Sequence, residues 1–235
     1  MFRMDICKRV SLIFITVFLI LPTMAIASTK IETYRNTEVK KISPLLDNFI
    51  YQVAKEYPYL YVHQKETNYN TIFEKDPKAF VILARKNGKV IGALQANPLN
   101  SPYFKDQEYS PEKALMQIKN NGFNLDKILY VSTFMLAKNE RNNLSVIKPM
   151  FDKTLDLAKN LGYSQICYME ILETNNHPLK PNPYIPVEPW KALGKDIKSM
   201  NVETNMTWPT LQADGKVNNE DHKLAFYIID LKRKD

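Results

Sequence analysis

Ile128-Leu-Tyr-Val-Ser-Thr-Phe-Met-Leu136, followed by Ala137-Lys-Asn-Glu-Arg-Asn-Asn-Leu-Ser145 and a run ending at Leu161-Gly162-Tyr163, reads as strand, turn and helix. Ile147, Met150, Phe151, Leu155, Ala158 and Leu161 recur at helical spacing, which predicts a helix from about Ser145 to Leu161 with one face in the core. Ser164 to Glu170 then reads as a second strand. A helix opening just after a strand presents free N–H groups and the positive end of its dipole, the place where a phosphate-bearing ligand sits. Glycine normally lets such a turn curl around an anion. The chain has only six glycines, at 88, 92, 122, 162, 194 and 215, so none falls in this turn.

Working outward, Thr29 to Tyr34 reads as a first strand, and Ser43-Pro44 as a helix start with serine as N-cap and proline in the first turn. Leu46, Ile50, Val53, Ala54 and Tyr57 share a face of that helix, which stops before Pro58. Asn68 to Lys75 is a second short helix, ended by Asp76-Pro77. Phe80 to Arg85 and Val90 to Ala96 are strands joined at Asn87-Gly88, a strong hairpin signal. A further helix starts at Ser110-Pro111-Glu112 and ends at Asn121-Gly122. Beyond the second strand come a proline-rich loop, a short helix around Glu188 to Leu193, and closing strands at Thr204 to Trp208 and Ala225 to Leu231. This mixed alternation predicts an α+β fold, an α/β/α-like sandwich around one mixed sheet.

The N-terminus carries Arg3, Lys8 and Arg9, then the apolar run Val10 to Leu21, then Ala25-Ile26-Ala27. Basic start, short apolar centre and small residues at −3 and −1 make residues 1–27 a secretory signal, with cleavage leaving Ser28 and a single domain over 28–235. An uncleaved anchor is the alternative and the chain's only expected link to a membrane, since the run reaches 18 residues if it extends to Ala27. The mature chain keeps Cys167 alone, so no intramolecular disulfide forms. It carries a net charge of about +5, with scattered lysines and no basic cluster interleaved with aromatics, which argues against nucleic acid as a partner. No His/Cys/Asp/Glu spacing suggests a metal site.

Four segments carry a family resemblance: Glu56-Tyr-Pro-Tyr-Leu-Tyr61; Phe80 to Pro98 with its Asn-Gly turn and Val90-Ile-Gly92; the central strand–turn–helix with Phe151-Asp152 and Leu161-Gly162-Tyr163; and His177-Pro178-x-x-Pro181-x-x-Tyr184, followed by Pro189-Trp190-x-x-x-Gly194 and Thr207-Trp208. In these the chain resembles the GNAT superfamily of N-acetyltransferases. The resemblance implies a mostly antiparallel sheet with a V-shaped split between its central strands. It implies acetyl-CoA or another acyl-CoA as co-substrate and a small-molecule or peptide amine as acceptor. Pantetheine would pair with the backbone of Met135, Leu136 and Ala137, with the diphosphate on the turn before the long helix. Arg141, Asn142, Asn143 and Ser145 would line that turn, and Asn175 would meet the pantetheine arm.

On the acceptor side the resemblance points to Glu170 as an acceptor of the amine proton, His177 beside the cleft, and Tyr184 as a phenol for the departing thiolate. Each has a plainer role open to it: Glu170 as a solvated charge, His177 as a brace for the proline-rich loop, Tyr184 as a packed aromatic. The turn departs from the family pattern. Its two small positions fall on Ser145 and Ile147, or on Leu144 and Val146 if one residue is inserted. Pro149 belongs in a first turn, which moves the regular helix to Ser145 or later and leaves the turn short of ordered donors. Two functions follow: an exported acyltransferase, or a non-catalytic binding protein on the same scaffold.

Overall fold

The computed structural model describes residues 28–56, 71–104, 112–172, 190–191, 193–212 and 214–231. The strands are β1 (Lys30–Tyr34), β2 (Phe80–Lys86), β3 (Lys89–Pro98), β4 (Ile128–Leu136), β5 (Gln165–Ile171), β6 (Ile197–Leu211) and β7 (Val217–Asp230). The helices are α1 (Thr37–Ala54), α2 (Thr71–Lys75), α3 (Glu112–Asn120) and α4 (Leu144–Asn160). Seven strands form one sheet in the order β1-β2-β3-β4-β5-β7-β6. Every neighbouring pair is antiparallel except β4–β5. The parallel pair exists because α4 makes the crossover between its strands.

Two clusters cover the two sheet faces. On one face Leu46 and Ile50 of α1, Phe73 of α2 and Ile118 of α3 pack against Val81, Leu83, Ala93, Tyr130 and Cys167. On the other face α4 packs with Val146, Ile147, Met150, Phe151 and Leu155 against Ile82, Leu94, Leu129, Ile166 and Tyr168, joined by Trp190. The predicted α/β/α sandwich with a mostly antiparallel sheet is the architecture observed.

Gly92 lets α4 come this close to β3. A Cβ there would meet Leu136 Cδ2 at 2.8 Å and Met150 Sδ at 3.0 Å. The β2–β3 hairpin turns at Asn87 (φ 52°) and Gly88 (φ 76°), the left-handed pair that a two-residue turn requires.

Of the three prolines read as helix starts, Pro44 and Pro149 lie inside helices, and Pro111 lies outside the described residues. Helix α1 begins at Thr37, so Pro44 sits two turns in and Ser43 does not cap. The Ser43 hydroxyl instead donates back to the Val39 carbonyl at 3.2 Å. An interior proline costs about 3 kcal/mol. The buried stripe Val39, Ile42, Leu46, Phe49, Ile50 and Val53 outweighs it, at roughly 1.5–3 kcal/mol per fully buried side chain. Likewise α4 starts at Leu144, and Pro149 stands in its second turn rather than its first. The closing strands are also far longer than Thr204 to Trp208 and Ala225 to Leu231: β6 has 15 residues and β7 has 14.

Candidate functional site

The central strands separate at a defined point. β4 and β5 pair only from Ile128–Gln165 to Val131–Tyr168, yet β4 runs on to Leu136 and β5 to Ile171. The cause lies on the other edge of β4. Gln95 pairs with Thr133 and Ala96 with Val131, so Ser132 is an extra residue, a β-bulge. A bulge bends and twists its strand, and this one stands one residue beyond the last β4–β5 pair. It also shifts the side-chain phase: Leu129 and Val131 before the bulge, and Phe134 and Leu136 after it, all join the cluster under α4.

Backbone direction follows from the register. The Ala137 N–H donates to the Ile91 carbonyl at 2.9 Å, and Met135 pairs with Ala93. Alternation then turns the main-chain groups of Thr133, Met135 and Ala137 toward β3 and those of Phe134 and Leu136 toward the split. Of the three residues assigned to the pantetheine arm, Leu136 offers its backbone to the split, while Met135 and Ala137 are spent within the sheet.

The turn into α4 is ordered and closed on itself. Asn143 caps the helix: its Oδ1 accepts the Ser145 N–H at 3.1 Å and the Ser145 hydroxyl at 2.6 Å. Its carbonyl accepts the N–H groups of Val146 at 2.9 Å and Ile147 at 3.0 Å. The donors expected to be disordered are thus in place, but they serve the cap. Beneath them lies Glu140, only 4% exposed. Its carboxylate accepts from Asn143 Nδ2 at 2.6 Å and faces Lys86 Nζ at 3.4 Å. Arg141 pairs with Glu56 at 2.6 Å. Asn142 is exposed at the tip of the turn. Arg141 in the turn and Lys86 beside it therefore face carboxylates of the chain itself, and Ile147, at one of the two small positions, is buried.

A row of aromatic rings crosses the floor of the split on the α4 side. Tyr227 of β7 stacks on Tyr168 of β5 (centroids 5.6 Å apart), and Tyr168 on Trp190 (6.1 Å). Trp190 meets Phe151 of α4 (3.9 Å), which meets Phe134 of β4 (4.7 Å). Glu170, half-buried and two residues beyond Tyr168 on the same face, stands diagonal to Tyr227 across the β5–β7 pair. Burial first, and Glu170 second, hold the Tyr227 phenol above its ordinary value. Cys167 points to the opposite face, and burial pushes its thiol up, which keeps it protonated and inert.

This arrangement puts the β4 edge on one wall of the split, Glu170 and Tyr227 on the other, and an aromatic floor between them. Comparison with solved structures places it. The acyl-homoserine lactone synthase LasI superposes with a TM-score of 0.55 at 12% identity, covering 88% of this chain and 92% of its own. The CoA-dependent acyl-homoserine lactone synthase BjaI, solved with SAM and isopentyl-CoA, gives 0.55 at 12% over 88% and 85%. A provisionally assigned phosphinothricin N-acetyltransferase gives 0.52 at 10% over 88% and 100%.

The fold is the GNAT fold.

No family model matches the sequence, and no curated protein matches it by sequence. Within the GNAT fold, β4 and β5 form the V-shaped split that the sequence resemblance implied. Glu170 stands at that split and Arg141, Asn142, Asn143 and Ser145 at the turn. His177, Tyr184 and Asn175 lie outside the described residues, as do residues 1–27 and the Tyr57 to Tyr61 segment. Sequence reasoning missed Glu140, Tyr168 and Tyr227. Tyr168 and Glu170 at i and i+2 on one strand did share a face in the sequence; Glu140 gave no local signal, because its partner Lys86 is 54 residues away.

Proposed function

We propose that this chain is an acyltransferase, moving an acyl group from an acyl-CoA thioester to an amine in the β4/β5 split. The single observation that carries this reading is the split itself, opened at the Ser132 bulge, beyond which β4 and β5 run on without pairing to each other. In such a transfer the amine nitrogen attacks the acyl carbon, a C–N bond forms and the C–S bond breaks; the proton lost by the nitrogen passes through Glu170 and solvent to the departing thiolate, so that an amide and a thiol result. The β4 edge that faces the split aligns the thioester arm, which supplies the positioning that direct attack requires. Glu170, on the opposite wall beside Tyr227, takes the amine proton. The turn before α4 is a poor fit for a diphosphate, since the Ser145, Val146 and Ile147 N–H groups serve the Asn143 cap and Lys86 and Arg141 face carboxylates of the chain. The acyl and pantetheine parts of the donor therefore carry the affinity.

The reading extends to location: residues 1–27 are removed on export, so the native N-terminus is Ser28. The engaged donors of the α4 turn favour a second reading, a binding protein on the GNAT fold with no acyl transfer. The test is thiol release from acetyl-CoA and longer acyl-CoA thioesters in the presence of an amine panel, together with thermal shift. Amine-dependent release supports transfer. Neither release nor a melting shift at millimolar thioester rejects it, and ligand binding without release supports the second reading.

A further inference from the structure

The Tyr168 hydroxyl is buried, with the residue 3% exposed, and has no hydrogen-bond partner among the described residues. Leaving a buried hydroxyl unmade costs about 1–3 kcal/mol, so such a group is normally paired. Its position is specific. Tyr168 is the last β5 residue that pairs with β4, so it stands at the vertex of the split. Tyr227 and Trp190 flank its ring and fix it. The neighbouring Tyr227 ring stacks on it, but its hydroxyl makes no hydrogen bond to that of Tyr168.

We propose that Tyr168 is a ligand-binding residue whose hydroxyl donates a hydrogen bond to the carbonyl oxygen of an acyl group lodged at the vertex. This rests on the acyl-transfer reading and gives it a substrate class: an uncharged acyl carbonyl flanked by apolar chain, which suits the aromatic floor of Trp190, Phe151 and Phe134. Chemistry supports donation of a hydrogen bond rather than of a proton. Burial, then the negative charge of Glu170, raises the phenol well above its usual range, so it stays protonated and is a poor acid for a thiolate. The same hydroxyl remains in place as charge builds on the carbonyl oxygen, where a fixed donor is worth more than to the ground state.

The test is Tyr168→Phe, which keeps the ring stack and removes only the hydroxyl. Binding of S-hexanoyl-pantetheine is read from Trp190 fluorescence in a Trp208→Phe background, Trp208 being the other of the two tryptophans. Melting temperature is read alongside. The expected result is about tenfold weaker binding, the worth of one hydrogen bond, with melting unchanged or slightly raised. Equal binding by the two proteins, no binding by the parent, or a fall in melting temperature that reveals a structural partner would each overturn the assignment. Tyr168-dependent binding without thiol release would instead sink the transferase reading alone, and transfer with binding indifferent to Tyr168→Phe would sink this inference alone.

Discussion

Glu140 offers the sharpest perturbation of the closed turn. Its carboxylate is 4% exposed and accepts from Asn143 at 2.6 Å, while Lys86 Nζ stands at 3.4 Å. A hydrogen bond to a buried charge contributes about 1.5–3 kcal/mol. The Lys86 pair adds no more than about 1 kcal/mol, because the lysine side chain is 40% exposed and solvent screens it. Glu140→Ala should therefore lower stability by about 2–4 kcal/mol, or about 5–12 °C in melting temperature for a domain of this size. Glu140→Gln keeps an acceptor for Asn143 and should lose only about 1 kcal/mol. The amide also removes the negative charge that holds Lys86, so inorganic pyrophosphate should bind Glu140→Gln about tenfold more tightly than the parent, an effect of about 1.4 kcal/mol. Thermal denaturation followed by circular dichroism gives the first quantity and calorimetric titration the second. A Glu140→Ala protein that melts with the parent, or a Glu140→Gln protein with no gain in pyrophosphate binding, refutes the idea that Glu140 is the turn's resident anion.

Gly92→Ala should cost about 1–3 kcal/mol by overpacking Leu136 and Met150, measured as a drop in the chemical denaturation midpoint; an unchanged midpoint would show that α4 is not held this close to β3. Cys167 should resist alkylation by iodoacetamide at pH 8 in the folded protein and react on unfolding, with rapid labelling of the native state the contrary result. Asp230, held below the ordinary carboxylate range first by Lys198 and then by Gln165, contributes stability above its unfolded pKa that is lost as pH falls through its lower folded value. Melting temperatures of Asp230→Asn and the parent should therefore converge below about pH 4 and separate above it, and a constant offset across pH 2.5–6 would contradict that linkage.

The elements with strong local signals were legible in sequence. Ile128 to Leu136 was read as a strand and is one, Asn87-Gly88 turns the hairpin, and Gly122 and Gly162 follow helix ends at positive φ. The prolines misled because a proline in the first turn is favourable only on local grounds, and the buried stripes of α1 and α4 override that preference. The length of β6 and β7 was hidden because the first half of β7 is largely exposed, so its sequence shows no apolar alternation.

In the site, the missing glycines were visible, but the device that replaces an external anion was not. Asn143 as a cap is a local pattern; Glu140 depends on Lys86, brought near only by the sheet. The Ser132 bulge is equally invisible, since it is a property of register with β3 and not of Ser132 itself. Tyr168 read as one more apolar strand residue, and its hydroxyl became meaningful only once it was seen to stand unpaired at the vertex.

The central claim is that this GNAT fold retains the thioester cleft while its α4 turn is closed to a diphosphate. The most direct measurement compares the dissociation constants of acetyl-CoA and acetyl-pantetheine for the same protein at fixed ionic strength. If affinity resides in the cleft, the two should agree within about threefold, well under 1 kcal/mol. Acetyl-CoA binding about a hundredfold more tightly, some 2.7 kcal/mol, would contradict the account, because only a working diphosphate seat supplies that difference.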